Sequence, residues 1–244
     1  MDWYKNWFGS PFYKILYQNR DEFEAQEFVE NLLAYLQPPP GSAMLDIACG
    51  EGRFAKQLAE HGFEVTGIDL SHESIETAKA YETDDLQFFV QDMRLPFYIN
   101  YFDYAFNFFT SFGYFAHDRD HALAAKSFAA ALKRNGILVI DYLNYEQVLA
   151  NFVPEENIQR GSYKFTIVRK IERNHIIKNI SFLDADKKTR QYTESVAAFS
   201  LADFIKLFKP TEMSLVSTFG DYQLNPYHPI DSPRLIMIFK KKYA

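Results

Sequence analysis

One cysteine, Cys49, stands in 244 residues, which excludes a disulfide framework and a cysteine-built metal site. No apolar run approaches the roughly 18 residues that a membrane-crossing helix needs, so no membrane partner is expected. Basic clusters are equally scarce. Lys and Arg number 26 against 32 Asp and Glu, a net charge of −6. The single basic run, Lys240 to Lys242, follows the last apolar stretch, where a solvated chain end that discourages edge pairing accounts for it. Nucleic acid is disfavoured as a partner, because phosphate contacts need clustered cations. The first ten residues, "MDWYKNWFGS", are too charged and too short in apolar length for a signal peptide, and a cytoplasmic location is the expectation. Internal repeats and low-complexity segments are absent.

What remains is globular. Hydrophobic residues make up 48% and charged residues 24%, near the average for chains that bury a core. Aromatics reach 17%, with 24 Phe and 16 Tyr, enough to fill a core and still line a pocket.

"RDEFEAQEFVENLLAYLQPPPG" predicts a helix, with Phe28, Leu32, Leu33 and Leu36 at helical spacing, acids in the first turn and a stop at Pro38 to Pro40. The preceding "SPFYKILYQN" is aromatic and expected to pack over the domain. "AMLDIA" is a short apolar strand, followed by a glycine turn and a helix from about Gly52 to Glu60 that Gly62 ends. "FEVTGIDL" is a second strand, and Ser71 caps "HESIETAKAYE", with Ile75 and Ala78 inward. "LQFFVQD" and "FDYAFNFF" are the third and fourth strands. "DRDHALAAKSFAAALKRNG" reads as a helix closed by Asn135 and Gly136, and "GILVIDYLN" as a fifth strand, buried on both faces. Strands alternating with helices imply a parallel sheet with right-handed crossovers.

After Asn144 the pattern changes. From Tyr163 to Phe199 three β-rich stretches follow one another without a long helix, the mark of an inserted antiparallel meander. "SLADFIKLFKP" restores a helix, with Ser200 and Asp203 at capping-box spacing, a stripe of Leu201, Phe204, Ile205 and Phe208, and a stop at Pro210. "MSLVSTFGDY" and "PRLIMIFKKK" close the chain, the last strand antiparallel to its neighbour. The expected organisation is an amino-terminal cover over 1–40, a binding core over 41–145, an inserted β lid or interface over 146–199, and the end of the core over 200–244. The fold class is α/β, a Rossmann-like seven-stranded sheet with helices on both faces.

Gly50-Glu51-Gly52-Arg53-Phe54-Ala55 satisfies G-x-G-x-x-A after a strand, and Asp69 follows about 20 residues on, the layout of a nucleotide-binding crossover. Two ligands share an adenosine half that Asp69 would hold by its ribose. Electrostatics separates them. A pyrophosphate on this turn would face Asp46 and Glu51, and two like charges about 6 Å apart cost about 3 kcal/mol at an effective dielectric of 20. S-adenosylmethionine has no phosphate but an ammonium, a sulfonium and one carboxylate. Asp46 suits the cations, and the free N–H groups of the turn suit the carboxylate.

"LDIACGEGRF", "GIDLS", "VQDMRLPF" and "FDYAFNFFTSFGYF", in this order, resemble the four motifs of class I S-adenosylmethionine-dependent methyltransferases. The resemblance runs from about Asp21 to Asn144 and resumes over the last helix and strands. It implies a reversed final strand, and the chain looks most like the small-molecule members. By position it implies that Asp46, Ala48, Gly50 and Gly52 surround the methionine part. Asp69 would hold the ribose, with Leu70 against the adenine face. Asp92 and the backbone of Met93 would meet the adenine edge, and Asn107 and Phe108 would lie beside the sulfonium.

Methyl transfer from a sulfonium is an in-line displacement that needs alignment and dryness rather than a protein nucleophile. A general base is optional, with His117 and His228 as candidates. Among the rings after the fourth strand, Phe112 and Tyr114 are candidate acceptor contacts, with Phe108, Phe109 and Phe115 placed to stack or to face a cation. Tyr13, Tyr17, Tyr142, Tyr145 and Tyr227 are further substrate candidates. Arg234, just before the last strand, either anchors an acidic substrate or pairs with Asp231, and the pairing is the preferred expectation. No metal site is expected. The acceptor is a small molecule with an oxygen, nitrogen or carbon nucleophile, and a homodimer stays open. The rival readings are a nicotinamide-dependent oxidoreductase and an S-adenosylmethionine-binding module without catalysis.

Overall fold

The computed structural model describes residues 3–17 and 22–242. Two short helices come first, α1 (Trp3–Phe8) and α2 (Pro11–Leu16). Ser10 caps α2 by accepting from the Phe12 N–H at 3.2 Å, and a proline at the first helical position needs no donor there. Helix α3 spans Glu22–Leu36 and buries Phe28, Val29 and Leu32. Arg20 and Asp21, expected to lead into it, lie outside the described residues.

The α/β core then follows as β1 (Ala43–Ile47), α4 (Arg53–Glu60), β2 (Glu64–Asp69), α5 (His72–Ala78), β3 (Leu86–Val90), β4 (Phe102–Asn107), α6 (Asp118–Ala131) and β5 (Leu132–Leu143). After α7 (Tyr145–Ala150) come β6 (Glu155–Arg160), β7 (Tyr163–Glu172), β8 (His175–Leu183) and β9 (Thr189–Ala197). The chain closes with α8 (Leu201–Phe208), β10 (Met213–Phe219) and β11 (Arg234–Lys241).

Seven strands form one sheet in the order β10-β11-β5-β4-β1-β2-β3. Strands β1 to β5 are parallel, and β11 runs antiparallel to both β5 and β10. The strand alternation divides the core in two. Ala43, Leu45 and Ile47 join the face covered by α6 and α8, while Met44 joins the face covered by α3, α4 and α5. Strand order reverses where β1 lies between β2 and β4, so the carboxyl ends of β1 and β4 open a crevice.

A second, four-stranded antiparallel sheet has the order β6-β7-β8-β9. One of its faces buries Phe165, Ile167, Ile180 and Phe182 against Trp7 and Leu16 of α1 and α2, a hydrophobic cluster separate from the two of the core. Among the described residues no helix is long and apolar enough to cross a membrane.

Several local expectations need correction. The meander has four strands rather than three. Strand β6 opens Glu-Glu-Asn and none of its residues is fully buried, so no apolar alternation announces it. Helix α6 stops at Ala131 instead of Asn135, and Lys133 to Gly136 belong to β5, bulged against β4 between Phe102 and Tyr104. Helix α8 keeps its Ser200–Asp203 capping box, but Ile205 is exposed, and Phe204 and Phe208 carry the buried face.

Candidate active site

The crevice is built on the turn after β1. Ala48, Gly50 and Gly52 all take positive φ, at 61°, 57° and 84°, which curls the backbone back toward β2. Gly52 is required twice over, since a Cβ there would lie 2.6 Å from the Phe88 ring. Ala48 pays about 1 kcal/mol for its left-handed conformation. Asp69, at the end of β2, ties the turn down. One carboxylate oxygen accepts the Gly50 N–H at 2.9 Å and the other the Ser71 N–H at 2.8 Å.

Two buried acceptors beneath this turn lack partners. Asp46 is 1% exposed and its Oδ2 receives no hydrogen bond; Asn107 donates to the Ile47 carbonyl at 2.9 Å while its Oδ1 receives none. They end the neighbouring strands β1 and β4. Burial first, then the nearby Asp69, pushes the Asp46 carboxyl up to about 7, against smaller opposing effects of the Ala55 backbone and Arg53. Burial also raises Asp69. Unmet acceptors in a dry site favour a ligand that brings N–H donors and positive charge. Glu51, at the tip of the turn, pairs with Lys14 of α2, so this acid ties α2 to the turn.

A cavity of about 430 Å³ opens above the turn. Of the residues expected at the cofactor, Ala48, Gly50, Asp69, Leu70, Asp92, Met93 and Phe108 line it. Asp46, Gly52 and Asn107 are not among its lining residues. Phe108 is largely packed, stacked on Phe54 with centroids 4.1 Å apart. Asp92 is gripped by Arg94, whose Nη2 donates to it at 2.6 Å and whose backbone N–H does so at 2.9 Å.

A second cavity, of about 370 Å³, lies beside the first. Phe8, Tyr13, Tyr17, Phe109 and Tyr114 border both, so the two chambers share an aromatic wall. Of the substrate candidates, Tyr13, Tyr17 and Tyr114 line both cavities. The others line neither. Phe112 and Tyr142 are fully buried, the latter donating to the Ala197 carbonyl at 2.6 Å, and Tyr145 and Tyr227 border neither cavity. His117 is an exposed helix cap and His228 an exposed loop residue, and both lie outside the cavities. The turn that each occupies faces solvent, which local sequence does not disclose.

Arg234 pairs with Asp141 at 2.7 Å, not with Asp231. Asp141, wholly buried, also accepts the Phe109 N–H at 2.9 Å and the Tyr222 hydroxyl at 3.0 Å. This fixes Phe109 and Thr110, which hold φ of 56° and 57°, at the chamber wall. Sequence reasoning missed the charged lining of the second cavity, Arg160, Lys178 and Glu194, because it depends on strand pairing within the meander. Glu194, itself buried, accepts from the Trp7 indole at 2.7 Å, the Tyr17 hydroxyl at 2.7 Å and Lys178 at 3.1 Å; burial pushes its carboxyl up, but Lys178 and these hydrogen bonds together outweigh it and hold the carboxyl low.

Residues 44–136 match the family described as "Methyltransferase domain". The chain is 39% identical over 106 residues to the Bacillus subtilis protein YqeM, covering 42% of this chain and 43% of that one. It is 26% identical over 184 residues to human glycine N-methyltransferase, covering 67% and 61%. The chain thus spans less than two thirds of these relatives. An S-adenosylmethionine-dependent methyltransferase from Clostridium acetobutylicum shares the fold across 98% of this chain and 99% of its own, with a TM-score of 0.80 at 19% identity. With the motif order, the seven-stranded topology and an acid-lined glycine turn in place, residues 44–136 carry a methyltransferase domain, and the chain shares the fold of S-adenosylmethionine-dependent methyltransferases.

Proposed function

We propose that the protein methylates a small-molecule acceptor held in the second cavity, with S-adenosylmethionine in the first. The observation that carries this reading is the pair of unmet buried acceptors, Asp46 Oδ2 and Asn107 Oδ1, under a glycine turn. When bound, S-adenosylmethionine supplies an electrophilic methyl carbon on a sulfonium. The chain's own residues do the rest. Asp46, ionised by a neighbouring ammonium, and Asn107 hold the methionine end. Asp69 is placed to exchange its bonds to Gly50 and Ser71 for ribose hydroxyls. Leu70 and Met93 flank the base, and Asp92 accepts at its edge. The shared wall of Phe8, Tyr13, Tyr17, Phe109 and Tyr114 excludes water and leaves the line between chambers open to a nucleophile on oxygen, nitrogen or carbon. The acceptor loses its own proton, if it carries one, to solvent.

Helices α1 and α2 with the second sheet form the cover over both chambers. Calorimetric titration with S-adenosylhomocysteine tests the reading: micromolar binding is expected, with no thermal protection by NAD. Absence of binding at millimolar ligand refutes it.

A further inference from the structure

Resting on that reading, we infer that the acceptor carries a carboxylate-type oxyanion, anchored by Arg234 and Arg160. Arg234 rises from the start of β11 into the second cavity. Its Nε is spent on Asp141 and its Nη2 on the Thr110 hydroxyl at 2.9 Å. Nη1 has no hydrogen-bond partner among the described residues, and the side chain keeps 18% exposure. The guanidinium carbon lies 5.5 Å from the Phe109 ring centroid and 5.9 Å from that of Tyr222, and Phe109 belongs to the wall shared with the first chamber. Arg160, from β6, bonds only carbonyls, those of Leu16 at 3.2 Å and Gln159 at 3.1 Å, and no carboxylate pairs with it among the described residues.

The acidic groups of this chamber cannot serve a cationic acceptor equally well. Asp141 and Glu194 are each consumed by three donors. Glu24 is the remaining acid of the lining; its charge acts on Arg234 from a distance, but it is exposed to solvent, where water screens it. The interior therefore offers unfilled guanidinium donors and no unfilled carboxylate. A planar carboxylate matches the guanidinium fork, and the rings of the wall suit a flat apolar body.

The test uses the full chain saturated with S-adenosylhomocysteine, titrated calorimetrically with benzoate, benzamide and benzylamine. Benzoate is expected to bind at least tenfold tighter than benzamide, and benzylamine more weakly than either. Arg160→Gln should cut benzoate affinity several-fold. Arg234→Gln, made together with Asp141→Asn so that no buried carboxylate is stranded, should abolish the preference while S-adenosylhomocysteine still binds. Equal affinities, a preference for benzylamine through Glu24, or unchanged benzoate binding in both variants would overturn the inference and leave the cofactor reading intact. Failure of S-adenosylhomocysteine to bind the wild-type chain would remove both.

Discussion

The two chambers meet at one wall of rings but are built from different kinds of chain. The chamber proposed for the cofactor rests on four short segments, within residues 48–54, 69–74, 91–93 and 108–115, each at or just after the end of a parallel strand. The chamber proposed for the acceptor joins residues remote in sequence. Trp7 meets Glu194 across 187 positions, and Arg234 meets Thr110 across 124. The first is centred on strand ends of one sheet and bordered by α1 and α2. The second exists only after the amino-terminal helices have docked on the second sheet. A binding site for a shared cofactor can therefore stay constant while the acceptor site is rebuilt around it.

The strongest way to break this contrast is Asp46→Asn. A loss of at least a hundredfold in S-adenosylhomocysteine affinity is expected by calorimetry, because the ammonium loses its countercharge. The unliganded protein should behave oppositely. A carboxyl raised from 3.8 to about 7 binds a proton in the folded state that the unfolded chain has already lost. Stability therefore falls as pH rises from about 4 to 7, by on the order of 4 kcal/mol in total. Thermal melts of the unliganded wild type across this window should show the decline, and Asp46→Asn should flatten it. Ligand affinity should rise over the same window, reaching its plateau above pH 7.

Glu194→Ala probes the other side. It strands Lys178 and removes an acceptor from Trp7 and Tyr17, at a cost of about 3 kcal/mol. Hydrogen exchange should quicken in residues 3–17 and in β7 to β9 and stay unchanged in β1 and β4. Equal quickening in both regions would show that the cover and the core are one cooperative unit.

Two smaller effects sharpen the contrast. Ala48→Gly should stabilise by about 1 kcal/mol in denaturant titrations, by relieving left-handed strain at the turn. Lys14→Met breaks the half-exposed pair with Glu51 and should change stability by less than about 1 kcal/mol, with the difference fading in high salt.

Legibility followed the same division. Asp69 was placed from the motif spacing and Leu70, Asp92 and Met93 through the family resemblance, and all four line the first cavity. The reversed β11 was legible too, from the short loop before it. Strand β6 was not, since its residues are polar and pair at the sheet edge. The partner of Arg234 was misread for a related reason. Asp231 is near it in sequence, whereas Asp141 becomes its neighbour only when β11 lies antiparallel to β5, with Arg234 opposite Leu143. Glu51 likewise found Lys14 through the docking of α2. Of the aromatic candidates, Tyr13 and Tyr17 reach the chambers and Tyr142 and Phe112 do not, a distinction that composition does not contain.

By itself the sequence determined the parallel α/β core, the glycine turn and the sign of charge beneath it, because each depends on residues within a few positions of one another. Tertiary structure alone decided which rings line the second cavity and which cations there remain without a carboxylate partner. Those properties arise from strand register and helix docking, where burial and pairing energies are set by residues that meet across the whole length of the chain.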